Sequence, residues 1–232
     1  MSLFQPTHRS YWITLKLNHR PMPIFNQINK EIYKDLELLP LDLDGWNGNK
    51  PIFEKHIKDV QPTRIIEVGT WKGQSAVNMA RIVKSLDLNC EIRCVDTWLG
   101  ALEFWGADTP SRDLKLKNGY PQVFYQFLSN VVHKGMEDII IPFPTTSEIA
   151  HRFFKKNNIM AQLIYIDASH EEGDVYRDIK NFYELLLPGG IIFGDDYNTS
   201  WPGVQLDVKK FSEEINIGFT VDNMFWSMRK PI

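Results

Sequence analysis

Three aspartates and a histidine fall at two places where folding could bring them together. Asp167 and His170 lie in Asp167-Ala168-Ser169-His170, and Asp195 and Asp196 lie in Gly194-Asp195-Asp196-Tyr197. Each group closes a short apolar run, 162–166 and 191–193, that reads as a buried strand. Neighbouring strands lie ~5 Å apart, so the three acids would share one cleft. Carboxylates so placed repel, and their pKa values rise unless a cation relieves them. A hard divalent ion with oxygen ligands would do so; Mg2+ on Asp167, Asp195 and Asp196 is the expected choice. The alternative is that one aspartate meets a ligand amine while the others cap helices. His170 stands at the entry of the next helix, where it can serve as general base or simply hydrogen-bond the helix start.

A second constellation lies earlier in the chain. Residues 64–67 read as a strand that runs into Glu67-Val68-Gly69-Thr70-Trp71-Lys72-Gly73-Gln74-Ser75. Gly69 and Gly73 open a turn, and from Gln74 to Leu86 the apolar spacing becomes helical. Strand, glycine turn and helix start make a ligand cradle, because glycine lets backbone approach a ligand and the first helical N–H groups are free. The pattern differs from the Gly-x-Gly-x-x-Gly of dinucleotide binders and carries no lysine–serine pair for a triphosphate. Asp96, at the end of the next strand, can accept two hydrogen bonds from a ribose diol, or it can cap a turn.

The elements that position these residues alternate from Arg64 onward. Strands are expected at 64–68, 91–95, 138–142, 162–166 and 191–193, with helices between them. The clearest helix carries Val175, Ile179, Phe182 and Leu186 on one face and stops at Pro188-Gly189-Gly190. Short apolar strands separated by helices imply a doubly wound α/β fold, a mostly parallel sheet covered on both faces. Ligands of such sheets sit at the carboxyl ends of the strands. The segment before residue 61 is expected to be a helical extension, with Phe25, Ile28, Ile32, Leu36 and Leu39 on one face, ahead of a main domain at 61–232. The connection 99–120 is long for a compact α/β unit and is expected to form a lid carrying Trp105 and Tyr120. Trp46, Trp71, Trp98, Trp105 and Trp201 fall in loops and are candidates for lining a pocket.

A net charge of -3 gives no basic field for nucleic acid or anionic lipid. No apolar stretch approaches the ~20 residues of a membrane span. Cys90 and Cys94 are the only cysteines and lack the spacing of a redox or zinc pair, and the N-terminus lacks the pattern of a signal peptide. A cytoplasmic location is the expectation.

The glycine turn, Asp96 and the Leu187-Pro188-Gly189-Gly190-Ile191 run resemble a class I S-adenosylmethionine-dependent methyltransferase. More narrowly, Ile164–His170 with Gly194–Tyr197 resembles the macrocin-type, metal-dependent sugar O-methyltransferases. The resemblance covers residues 64 to about 228. It implies a seven-stranded Rossmann-like sheet with an antiparallel strand near the C-terminus, in a terminal hairpin of 217–221 and 224–228. It implies methyl transfer to a hydroxyl of a small-molecule acceptor, a sugar among the candidates, with no nucleic acid or membrane partner. Glu67, Gly69 and Thr70, on the turn that includes Gly73 and Ser75, would hold the methionine part. Asp96 would hold the ribose, Thr97 or Trp98 would lie beside the adenine, and Ser147 and Glu148 would meet its edge. Asp167, Asp195 and Asp196 would hold Mg2+, with His170 as base. Two other readings stay open: a metal-free methyltransferase, or a non-catalytic nucleoside-binding scaffold, whose pocket would be filled by side chains.

Overall fold

The computed structural model describes residues 31–106 and 114–232. The elements run α1 (Pro51–Val60), β1 (Arg64–Val68), α2 (Gln74–Ser85), β2 (Glu91–Asp96), the short α3 (Leu102–Gly106), α4 (Val123–His133) and β3 (Ile140–Pro144). They continue with α5 (Ser147–Lys156), β4 (Ala161–Ile166), α6 (Asp174–Leu185), β5 (Leu186–Gly194), α7 (Pro202–Ile215), β6 (Thr220–Asp222) and β7 (Phe225–Arg229). One seven-stranded sheet has the order β3-β2-β1-β4-β5-β7-β6. The pairs from β3 to β5 are parallel, and β7 runs against β5 and β6. This is the doubly wound, Rossmann-like sheet expected from the alternation of elements. The order reverses between β1 and β4, and a crevice opens at such a point.

Register puts the chemistry on one level. Val68 pairs with Val95 and with Ile166, and Ile166 pairs with Gly194. The residues that follow, Gly69, Asp96, Asp167 and Asp195, therefore emerge side by side at the carboxyl edge. Alternation along each strand feeds two cores. Tyr165 and Phe193 pack with Phe53, Met79 and Phe127 on one face, and Ile164, Ile166 and Ile192 pack with Phe154, Phe182 and Phe211 on the other. Helix α1 belongs to the first core through Ile52, Phe53 and Ile57.

Several boundaries differ from expectation. The third strand is shifted two residues onward, and it accommodates Pro142 and Pro144 because β3 pairs only with β2 and forms the sheet edge. Leu186 starts β5 rather than closing α6, and Pro188-Gly189-Gly190 lies inside the strand beside a register shift between Ala161 and Leu163. The terminal hairpin turns at Asn223-Met224, one residue later than expected. Of the N-terminal helical face, Ile32 and Leu36 pack against the first core, while Phe25 and Ile28 lie outside the described residues. Residues 107–113 of the expected lid also lie outside them. Among the described residues no helix is long and apolar enough to cross a membrane.

Candidate functional site

A cavity of about 840 Å³ opens at the carboxyl edge, over the ends of β1, β2, β4 and β5. Ligand pockets commonly measure ~300–1,000 Å³. Its floor is the β1–α2 turn. Gly69 sits at φ +82°, and a Cβ there would lie 1.9 Å from the Asp167 carbonyl oxygen. The close approach is fixed by backbone bonds on both sides: Gly69 N–H to Val95 O at 2.9 Å, and Asp167 N–H to Val68 O at 2.8 Å. Only glycine fits this floor.

Asp96 folds the turn over the end of β2. Its Oδ2 accepts the N–H groups of Thr70 at 2.8 Å and Trp71 at 2.9 Å, and its Oδ1 accepts the N–H of Trp98 at 2.7 Å. Burial raises its pKa, and these backbone donors oppose the rise. The carboxylate that faces the cavity also caps the turn. With about four lone-pair sites per carboxylate, most of its acceptor capacity is already taken by the backbone.

On the far side of the crevice stand the acids. Asp167, His170 and Asp196 bring one ligating atom each within 4.8 Å of one another. His170 Nε2 is 2.9 Å from Asp196 Oδ2 and 4.0 Å from Asp167 Oδ1, and its Nδ1 is 3.6 Å from Glu103 of α3. The imidazole stacks on Trp201, centroids 4.4 Å apart, which fixes the ring plane. Burial would lower the His170 pKa, but Asp196 and then Asp167 raise it above its ordinary value. Asp195 lies deeper: its Oδ1 accepts the Asp196 N–H at 2.7 Å, and its carboxylate meets the Asn47 side chain. Burial and then the Asp167 charge push Asp195 up to about 7, and burial and then Asp196 push Asp167 up to about 6. Burial is the larger cause of both rises, and repulsion by a neighbouring acid adds to it.

Residues 66–197, more than half of the chain, match the family described as Methyltransferase domain. The chain belongs to that family. Solved structures with the same fold include an O-methyltransferase from Bacillus cereus in complex with S-adenosylhomocysteine (SAH), at 15% identity and a TM-score of 0.54, covering 92% of this chain and 94% of that one. Another is CalS11, a TDP-rhamnose 3'-O-methyltransferase of calicheamicin biosynthesis, at 16% identity and a TM-score of 0.55, covering 90% of this chain and 95% of that one. The curated relative, uncharacterized protein y4gI of Sinorhizobium fredii (strain NBRC 101917 / NGR234), is 24% identical over 154 residues. That alignment covers 66% of this chain and 15% of the relative's length.

Within this methyltransferase domain the expected site residues divide. Gly69, Thr70, Ser75, Asp96, Thr97, Ser147, Asp167, His170, Asp195 and Asp196 line the cavity. Glu67, Gly73 and Trp98 do not. Glu67 is fully buried behind the floor, where the Ser75 hydroxyl and the Cys94 thiol donate to it, and burial pushes it up to about 8. Gly73, at φ +88°, caps the start of α2, and a Cβ there would come 2.9 Å from the Phe127 ring. Trp98 packs in the core on Phe124 and Phe127, its indole N–H donating to Trp71 O at 2.7 Å. Its place in the wall is taken by Trp71, which stacks on Phe104 at 4.3 Å. Glu148 pairs with Arg152 on the surface. Of the five loop tryptophans, Trp46, Trp71 and Trp201 line the cavity, and Trp98 and Trp105 do not; nor does Tyr120.

Asn47, a cavity residue that sequence reasoning missed, comes from before Pro51. Residues 39–48 run along α4 as a strap held by side chains. Asn130 Nδ2 donates to Asp42 O and Lys72 O, Gln126 Nε2 donates to Pro40 O, and Asp42 pairs with Lys72 and Lys115. The strap delivers Trp46 and Asn47 to the cavity rim. The available signal was the polar face of α4: Gln126, Ser129 and Asn130 are buried on a helix whose other buried residues are apolar.

Proposed function

We propose that the protein is an S-adenosylmethionine-dependent methyltransferase that methylates a hydroxyl of a small-molecule acceptor with the help of Mg2+, a sugar being a candidate acceptor. Residues 1–60 serve as an extension of the catalytic domain at 61–232. The observation that carries this reading is an open cavity with a glycine cradle on one side of the switch point and Asp167, His170 and Asp196 on the other. A scaffold that had lost catalysis would be expected to fill that space.

Gly69, where no Cβ could stand, with Thr70 and Ser75 beside it, would hold the cofactor's methionine end. Asp96 would hold the ribose with the acceptor capacity that its backbone donors leave. Thr97, on the cavity wall, would lie beside the base. The donor set also fits a divalent ion. Asp167 and Asp196 face the cluster, while Asp195 supports Asp196 from behind. A divalent ion held there supplies Lewis acidity to an acceptor hydroxyl. His170, in its neutral form, would take the proton of the acceptor hydroxyl, and S-adenosylmethionine would supply the methyl group. Trp201 holds the imidazole plane.

Methyl transfer from labelled S-adenosylmethionine to a panel of sugars and phenols tests this, run with Mg2+ and with EDTA. His170→Ala should lower the rate ~100- to 10,000-fold. Excess Mg2+ should partly restore Asp196→Asn but not His170→Ala. SAH binding should survive in both, because the cradle is separate. Full activity in EDTA removes the metal, a fast His170→Ala enzyme removes the base, and absence of SAH binding removes the whole reading.

A further inference from the structure

One acid in the cavity has no role in the chemistry above. Asp178, on the second turn of α6, is 6% exposed and lines the cavity. Ser147, the first residue of α5, donates its hydroxyl to it. Among the described residues no lysine or arginine forms an ion pair with it, because neighbouring Arg177 pairs with Asp174 at 3.0 Å. A buried carboxylate on a cavity wall with one hydroxyl partner keeps acceptor capacity for a donor from a ligand. Its own chain needs it little for capping, since Thr146 already caps α5 through the Ile149 N–H.

Its place says which part of a ligand would reach it. Asp178 and Ser147 sit where α5 and α6 meet, α5 following β3 at the sheet edge. The acids around His170 lie over β4 and β5, on the other side of β1 and β2. A nucleoside with its ribose at Asp96 and its reactive end toward His170 points its base toward β3 and Ser147. We infer that Asp178 reads the exocyclic amino group of the adenine, with Ser147 positioning the carboxylate, so that this chain selects adenine over a base bearing a carbonyl at that position. The inference rests on the cofactor reading above and adds a specificity residue to it. Burial raises the Asp178 pKa to about 6, and in its ionised form the group is an acceptor only. A carbonyl oxygen turned toward it would be repelled.

Calorimetry on the full chain with two probes tests this: SAH, and S-inosylhomocysteine, in which a carbonyl replaces the amino group. Losing a hydrogen bond to a charged acceptor predicts that wild type binds SAH about 10- to 150-fold more tightly than the inosine analogue. Asp178→Asn offers both a donor and an acceptor and should shrink that ratio to within about 3-fold. Ser147→Ala, which leaves the carboxylate but not its support, should shrink it by a smaller factor. Equal binding of both probes by wild type overturns the inference even if a variant fails to fold. An Asp178→Asn protein that discriminates like wild type overturns it too. Wild type that binds neither probe refutes the cofactor reading itself, and this inference with it.

Discussion

Asp96→Ala should cost the protein stability as well as cofactor affinity. A carboxylate that only held a ribose could be removed without loss to the empty protein. Here the side chain accepts three backbone N–H groups, from Thr70, Trp71 and Trp98. Hydrogen bonds to a charged group are worth about 1.5–3 kcal/mol each, and an orphaned buried donor costs about 1–3 kcal/mol. Thr70 and Trp71 border the cavity, so water can recover part of the loss there; Trp98 is 2% exposed and leaves less room for it. Allowing for that recovery and for non-additivity, the expected destabilisation is about 3–5 kcal/mol. That is a third or more of the ~5–15 kcal/mol that holds a typical domain. Asp96→Asn keeps one acceptor oxygen but turns an amide donor toward the others, so about 1–3 kcal/mol is expected. Urea unfolding followed by tryptophan fluorescence measures the stability of both variants, and SAH calorimetry measures their cofactor affinity. Trp71 and Trp98 flank the turn and should report its loosening before global unfolding. An Asp96→Ala protein with the wild-type urea midpoint and weakened SAH binding would show that the carboxylate serves the ligand alone and would refute the argument.

Gly69→Ala should be worse than Gly73→Ala, because the first Cβ meets backbone at 1.9 Å and the second meets the movable Phe127 ring at 2.9 Å. Both suffer the left-handed φ, about 1–2 kcal/mol; only Gly69→Ala should abolish SAH binding in calorimetry, and equal effects would contradict this geometry. The empty protein should lose stability as pH rises from about 4 to 7. Asp167 and Asp195, raised to about 6 and about 7, stay protonated when folded at pH values where the unfolded chain releases those protons. The folded state binds more protons in that window, so the slope is negative; Asp195→Asn should flatten it in urea titrations across pH, and an unchanged slope would mean that Asp195 ionises normally.

The sequence by itself determined the sheet and the level at which its chemistry emerges. Apolar runs of five or six residues between helical stretches can be buried only in a sheet covered on both faces, and in-register parallel pairing then carries Gly69, Asp96, Asp167 and Asp195 to one edge. Local chemistry also marked the glycine turn, since no side chain fits at Gly69. Side-chain direction past a strand end was not legible, because it depends on what the next loop packs against. Glu67 lies one strand residue before Val68 and alternation sends it behind the floor, into Ser75 and Cys94. Trp98 and Trp71 look equivalent as loop aromatics, yet their hydrogen bond and the Phe124 and Phe127 rings draw one into the core and leave the other on the wall. Distant parts of the chain decided the rest. Asn47 reaches Asp195 only because Asn130 and Gln126 of α4 hold the strap, and Asp178 enters the cavity only because α6 packs on α5. Such contacts join residues separated by tens of positions or more, and no local pattern encodes them.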